Sequence, residues 1–190
     1  MQPKLIDHIK KYVKLNDEQT QLVLDNIKPI TLKKKNFLLE EGQVCSSIYF
    51  VEKGCLRFFF INDKGVEQIT QFAIENWWIT DYMSFDTQSP SQFYLQAVEN
   101  TTVYAFDHQK QEKVFDQLPQ LERYFRLVLH RAYSASQIRI KYLYDYSKEE
   151  SYQHFSSKFP EFIQRIPQYM LASYLNLTPE YLSEIRKKNS

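Results

Sequence analysis

All three glycines of this 190-residue chain, Gly42, Gly54 and Gly65, fall in one part of it, and that part is where the apolar residues come in short runs. From about Ile30 to Phe106 the runs ITLKKKNFLLEEG, SIYFVEKGCLRFFFINDKG and VEQITQF are rich in Ile, Val, Tyr and Phe and are punctuated by those glycines. Such a pattern predicts antiparallel strands joined by tight turns. Asn62-Asp63-Lys64-Gly65 is the clearest turn, because Asn and Asp tolerate turn geometry and Gly supplies a positive φ. YLQAVENTTVYAF adds two strand-like pieces, enough in all for a small barrel or sandwich.

After Asp107 the period lengthens. HQKQEKVFDQL predicts a short amphipathic helix, and Pro119 opens a stretch to about Tyr146 with no further Gly or Pro, which predicts a long one. Leu121, Phe125, Val128, Ala132 and Ala135 recur along it at steps of three and four. Alanines let helix axes approach, and the helix is longer than a small barrel can cover, so this stripe is expected to be a dimer seam; packing on the chain's own barrel is the alternative. Lys148 to Lys158 predicts another helix, ended by Phe159-Pro160. The organisation is therefore α+β: a barrel domain over 1–118, a dimerisation helix over 119–147 and a helical module over 148–190.

The module holds the strongest functional signal, RIPQYMLASYLNLTPEYLSEIRKK. A first helix opening at Pro167, with Met170 or Leu171, Tyr174 and Leu175 inward, stops near Asn176, a residue that accepts left-handed backbone. Leu177 plugs the corner. Thr178 is a good N-cap, Pro179 suits the first helical position and Glu180 the first turn, so a second helix starts there, held by Leu182 and Ile185. Two short helices joined by a tight turn form the DNA-reading motif whose second helix enters the major groove. Glu180, Tyr181, Ser183 and Glu184 are then candidates for base edges; Arg186, Lys187 and Lys188 are candidates for phosphates, as is Gln168 at the start of the first helix. A plain helical hairpin with a solvated face is the competing reading.

Composition narrows the classes. Hydrophobic residues make up 43% and no low-complexity run occurs, so nearly all of the chain should fold. A net charge of +1 excludes a dedicated nonspecific nucleic-acid binder and requires any DNA contact to come from a local patch. No apolar stretch can span a bilayer and Met1–Lys11 lacks the apolar core of a signal peptide, so the expected location is cytoplasmic, away from membranes. Cys45 and Cys55 suit neither a disulfide framework nor a paired metal-ligand spacing and are expected to be buried thiols. His8, His108, His130 and His154 all lie outside the strands, so no cupin-like metal site is expected. Nucleophile-elbow and phosphate-loop patterns are missing too, and neither an enzyme nor a bound cofactor is expected.

FLLEEGQVCSSIYFVEKGCLRFFFINDKGVEQITQF resembles the cyclic-nucleotide-binding-type β-barrel (double-stranded β-helix, or jelly roll) of the CRP/FNR family of transcription factors, and HFSSKFPEFIQRIPQYMLASYLNLTPEYLSEIRKK resembles its Bacteroidetes-type branch. The resemblance implies a homodimer joined through the long helix that binds a palindromic operator in double-stranded DNA, with RNA polymerase as a further partner and a small molecule in the barrel as effector. Nucleotide-binding members hold the cyclic phosphate with Gly-Glu-Leu and, about ten residues on, Arg-Ser-Ala. Here Thr80-Asp81-Tyr82 and Ser91-Gln92-Phe93 fall at those places, and no arginine occurs between Arg57 and Arg123. Asp81, Tyr82, Ser91, Gln92 and Phe93 are thus the candidate effector pocket, for an unknown ligand other than cyclic AMP. Two cysteines cannot supply the four ligands of an iron-sulfur sensor. A ligand-sensing module without sequence-specific DNA binding is the alternative function.

Overall fold

A computed structural model describes residues 2–188, which form two compact units. One comprises the chain through Phe60 together with Gln71–Leu129; the other comprises Ile61–Thr70 and the chain from His130 onward. In chain order the elements are α1 (Lys4–Lys10), α2 (Asp17–Asn26), β1 (Ile27–Leu32), β2 (Phe37–Leu39), β3 (Ser47–Lys53), β4 (Leu56–Ile61), β5 (Glu67–Ala73) and β6 (Trp78–Ile79). Then come α3 (Tyr82–Thr87), β7 (Tyr94–Ala97), β8 (Thr101–Asp107), α4 (His108–Gln117), α5 (Gln120–Asp145), α6 (Lys148–Lys158), α7 (Pro160–Arg165), α8 (Gln168–Tyr174) and α9 (Pro179–Lys188). No helix among the described residues is long and apolar enough to cross a membrane.

The strands make two four-stranded sheets, ordered β1-β8-β3-β6 and β2-β7-β4-β5, and every recorded pairing is antiparallel. All three glycines have positive φ. The Asn62–Gly65 turn closes as the sequence predicts: Gly65 N–H donates to the Asn62 carbonyl at 2.8 Å, and the Asn62 side chain accepts from the Lys64 and Val66 amides. Phe50, Leu56, Leu95, Val103 and Phe106 are essentially solvent-free in the core between the sheets. Each such side chain contributes about 1.5–3 kcal/mol of burial. Cys45 and Cys55 are both buried.

The N-terminal helices carry no strong periodicity in the sequence, yet Leu5, Ile6 and Ile9 of α1 pack into this core. Asn16 starts α2 with a capping box, its side chain accepting from the Gln19 amide while Gln19 reaches back to the Asn16 amide. Tyr124, near the start of α5, is fully buried and bonded at its hydroxyl. Trp78 Nε1 donates to Tyr124 Oη at 2.8 Å, and Tyr124 Oη lies 2.7 Å from His8 Nδ1. An indole N–H can only donate, so Tyr124 Oη accepts from Trp78 while it shares a second hydrogen bond with His8, and residues of three elements meet at one hydroxyl. Burial pushes the Tyr124 hydroxyl pKa upward.

This anchoring corrects the reading of the long helix. Leu121 and Phe125, expected in a dimer seam, are buried in the core, where Phe125 contacts Trp78, Phe106 and Phe115, and Val128 packs half-buried against the same cluster. Periodicity identified an apolar face; the barrel covers its first turns. Ala132 and Ala135 are exposed. The apolar side chains left open on α5 beyond Val128 are Leu129, Tyr133, Ile138, Ile140, Leu143 and Tyr144. At 100° per residue Leu129, Ala132, Tyr133, Ile140 and Leu143 lie in one stripe, whereas Ala135 and Ile138 do not.

In the C-terminal unit α6 opens with a second capping box. Glu150 N–H donates to Ser147 Oγ, and Glu150 Oε2 accepts from the Ser147 amide at 2.8 Å; hydrogen bonding of the carboxylate to the Ser147 side chain and amide holds the Glu150 carboxyl below its ordinary pKa. Phe159-Pro160 ends α6 and at once starts α7, with Pro160 at the first helical position. Phe155, Phe162, Met170, Leu171, Leu182 and Ile185 are buried in the small core of this unit.

Candidate nucleic-acid interface and effector cassette

The two helices α8 and α9 meet through a four-residue turn, Leu175 to Thr178, built from the chemistry of its residues. Asn176 takes the left-handed conformation (φ 56°), Leu177 turns inward and is buried, and the Leu177 amide donates to the Ala172 carbonyl at 2.8 Å. Thr178 Oγ1 accepts from the Tyr181 amide at 3.2 Å, which caps α9. Leu182 and Ile185 are buried on one side of α9. The inward face of α8 differs from expectation: Met170, Leu171 and Ala172 are buried, while Tyr174 and Leu175 are only half-buried.

With Leu182 and Ile185 inward, the helical period puts Glu180, Ser183, Glu184 and Lys187 on the opposite stripe. Glu180, Glu184, Lys187 and Lys188 are exposed, as are Gln168 and Thr178; Ser183, Tyr181 and Arg186 are half-buried. Two contacts to the start of α6 steady the helix. Lys148 Nζ sits 5.5 Å above the Tyr181 ring, and Lys188 Nζ lies 3.5 Å from Glu149 Oε1. Three cations in the last turn of α9, Arg186, Lys187 and Lys188, also complement its helix dipole.

The candidate effector cassette is closed on itself. Asp81 is 5% exposed and both carboxylate oxygens are engaged: Oδ1 accepts from the Ser84 amide, capping α3, and Oδ2 accepts from Ser91 Oγ at 2.6 Å. Asp81 therefore takes a hydroxyl, and it is the chain's own. Ser91 Oγ in turn accepts from the Phe93 amide at 2.9 Å. Phe93 stacks on Phe58 at 4.5 Å and meets Phe60 edge-on, both on β4. Tyr82 and Gln92, expected beside them, are exposed. The structure thus joins Asp81, Ser91 and Phe93 and leaves the other two outside. Arg57 is buried on β4, its Nε donating to Gln96 Oε1 at 2.8 Å and its guanidinium 4.0 Å from the Phe59 ring centroid. It belongs to the strand, not to the cassette, and the cassette itself offers no fork for a cyclic phosphate. Among the described residues no group of three or more His, Cys, Asp or Glu is placed to hold a metal ion.

Residues 29–118 match the cyclic nucleotide-binding domain. The transcriptional activator protein Anr of Pseudomonas protegens is 35% identical over 100 residues, covering 53% of this chain and 40% of Anr. The anaerobic regulatory protein of Haemophilus influenzae is 26% identical over 188 residues, covering 89% of this chain and 70% of that protein. The chain therefore carries a cyclic nucleotide-binding domain and is similar to bacterial regulators of this kind. It spans about 40% of the length of Anr. Among solved structures, the c-di-GMP responsive global regulator CLP of Xanthomonas campestris superposes with a TM-score of 0.73 at 14% identity, covering 91% of each chain, a likeness of fold alone. The chain keeps the fold of these proteins, while Thr80-Asp81-Tyr82 and Ser91-Gln92-Phe93 stand in its barrel without an arginine.

Proposed function

We propose that this chain is a DNA-binding transcription regulator of the CRP/FNR family rather than an enzyme, with α9 as its recognition helix. The capped α8–α9 pair carries the reading, because it sets Glu180, Ser183, Glu184 and Lys187 on one open stripe and puts a basic turn at its end. The names of its relatives, an activator and an anaerobic regulatory protein, support the same conclusion. Carboxylates at i and i+4 suit cytosine amino groups, Ser183 suits several bases, and Lys187, Lys188, Arg186 and Gln168 suit phosphates. Thr178 and Tyr181 hold the helix start in position. The test is a gel-shift or anisotropy assay with duplex DNA, in which failure of the purified chain to prefer any sequence would overturn the reading.

The working form is a homodimer, formed through Leu129, Ala132, Tyr133, Ile140 and Leu143 of α5. Light scattering at micromolar concentration should give a dimer for the parent chain and a monomer for Ile140→Lys/Leu143→Lys. A monomeric parent chain would refute the seam.

The barrel serves as an effector domain for a small molecule other than cyclic AMP. Cyclic AMP added to the protein in a calorimeter should give no saturable heat, because the cassette lacks the arginine and Asp81 is committed to Ser84 and Ser91. A micromolar Kd would contradict this.

A further inference from the structure

We propose that Glu184, acting with Glu180, makes α9 a reader of two amino-bearing bases, cytosine or adenine, that lie on one strand with a single base pair between them. This assignment rests on the DNA-binding reading of α9. The structure decides which side chains of the helix can reach a base. Lys188, four residues after Glu184, is placed to pair with it along the helix, but its Nζ lies 3.5 Å from Glu149 Oε1 of α6 instead. Among the described residues the side chains of Glu180 and Glu184 have no hydrogen-bond or ion-pair partner, and both are exposed. Tyr181 is half-buried, with Lys148 Nζ 5.5 Å above its ring. Arg186 is half-buried, makes contacts within its own chain and falls on the side of Leu182. The open stripe thus presents two acceptors and lacks the arginine fork that matches guanine O6 and N7.

Helix geometry sets the spacing. A rise of about 1.5 Å per residue puts the two carboxylates about 6 Å apart along α9 and within about 40° of each other around it. The bases of one strand repeat every ~3.4 Å, so a helix lying along the major groove presents the carboxylates about two base steps apart. An ionised carboxylate only accepts. Cytosine N4 and adenine N6 donate into the groove, whereas guanine O6 and N7 and thymine O4 are acceptors. Opposite those acceptors a carboxylate loses its water and gains no partner, so the wrong base is actively rejected. The same two charges repel phosphates and weaken binding to every duplex that does not repay them with amino donors.

The experiment takes a duplex that the full-length parent selects from a random pool and prepares copies with N4-methylcytosine or N6-methyladenine at one amino-bearing position at a time. In a paired base the added methyl takes the place of the groove-facing N–H, so the donor is lost while the base pair remains. For the parent, methylation at either of the two positions should weaken binding about tenfold. Glu184→Ala should keep that penalty at one position and lose it at the other, and should bind a non-matching duplex more tightly than the parent does. A selected half-site without two such bases, or a methylation penalty that Glu184→Ala leaves intact at both positions, would overturn the assignment while leaving the DNA-binding reading intact. If the parent enriches no sequence, the DNA-binding reading falls and the assignment falls with it.

Discussion

Gly54→Ala should lower the melting temperature of the barrel by roughly 10 °C, and Gly42→Ala by only a few degrees. Both glycines have left-handed backbone, φ +105° and +85°, so both variants incur the strain of about 1–2 kcal/mol that an L side chain meets there. They differ in what the new methyl group meets. At Gly42 nothing lies within 4 Å, whereas at Gly54 a Cβ would stand 2.5 Å from Thr101 Oγ1, 2.7 Å from Thr101 Cα and 2.8 Å from the Asn100 carbonyl oxygen. Two of those atoms are backbone. The third cannot swing aside, because Thr101 Oγ1 accepts from the Cys55 amide at 3.2 Å and donates to the Glu99 carbonyl at 2.8 Å. Overpacking of this kind adds about 1–3 kcal/mol to the backbone strain. Trp77 and Trp78 are the only tryptophans and both lie in the barrel unit, so their fluorescence reports its unfolding. Equal shifts for the two variants would show that the close approach at Gly54 does not govern the fold.

The second large effect concerns the basic turn of α9. Lys187→Ala should reduce the steepness of log K against log salt by about 2 for a dimer, one phosphate contact being lost from each subunit. Arg186→Ala/Lys187→Ala should weaken binding by about tenfold or more at about 0.15 M salt while leaving the circular dichroism unchanged. Lys187 is the cleaner probe, being exposed, whereas Arg186 is half-buried and makes contacts within its own chain. Lys187 lies opposite the buried Leu182/Ile185 face, so loss of binding in the single variant would not be loss of fold. An unchanged salt slope would remove α9 from the interface.

These residues were legible before the structure because local chemistry decides them. Gly65 requires positive φ, Asn176 tolerates it, and Thr178-Pro179-Glu180 can only open a helix, so turn and cap positions follow from the sequence. Other features depend on partners far along the chain. The stripe from Leu121 to Val128 was readable as apolar, but only the fold shows that the barrel core covers it and that the exposed apolar side chains begin near Leu129. Helix α3 has six residues, too few for a period, and forms because Asp81 caps it. The Asp81–Ser91 bond that closes the cassette joins residues ten apart across a loop. The Asn16–Gln19 box was available in the sequence as an Asn followed three residues later by Gln, and marks α2.

The central claim, that the α8–α9 pair reads DNA as half of a symmetric dimer, is tested most directly by selecting duplexes from a randomised pool with the purified protein and footprinting the winners. The expected result is a pair of inverted half-sites about one helical turn, roughly 34–36 Å, apart, with protection of one major-groove face at each. Recovery of no enriched sequence, or of a single site without dyad symmetry, would contradict it.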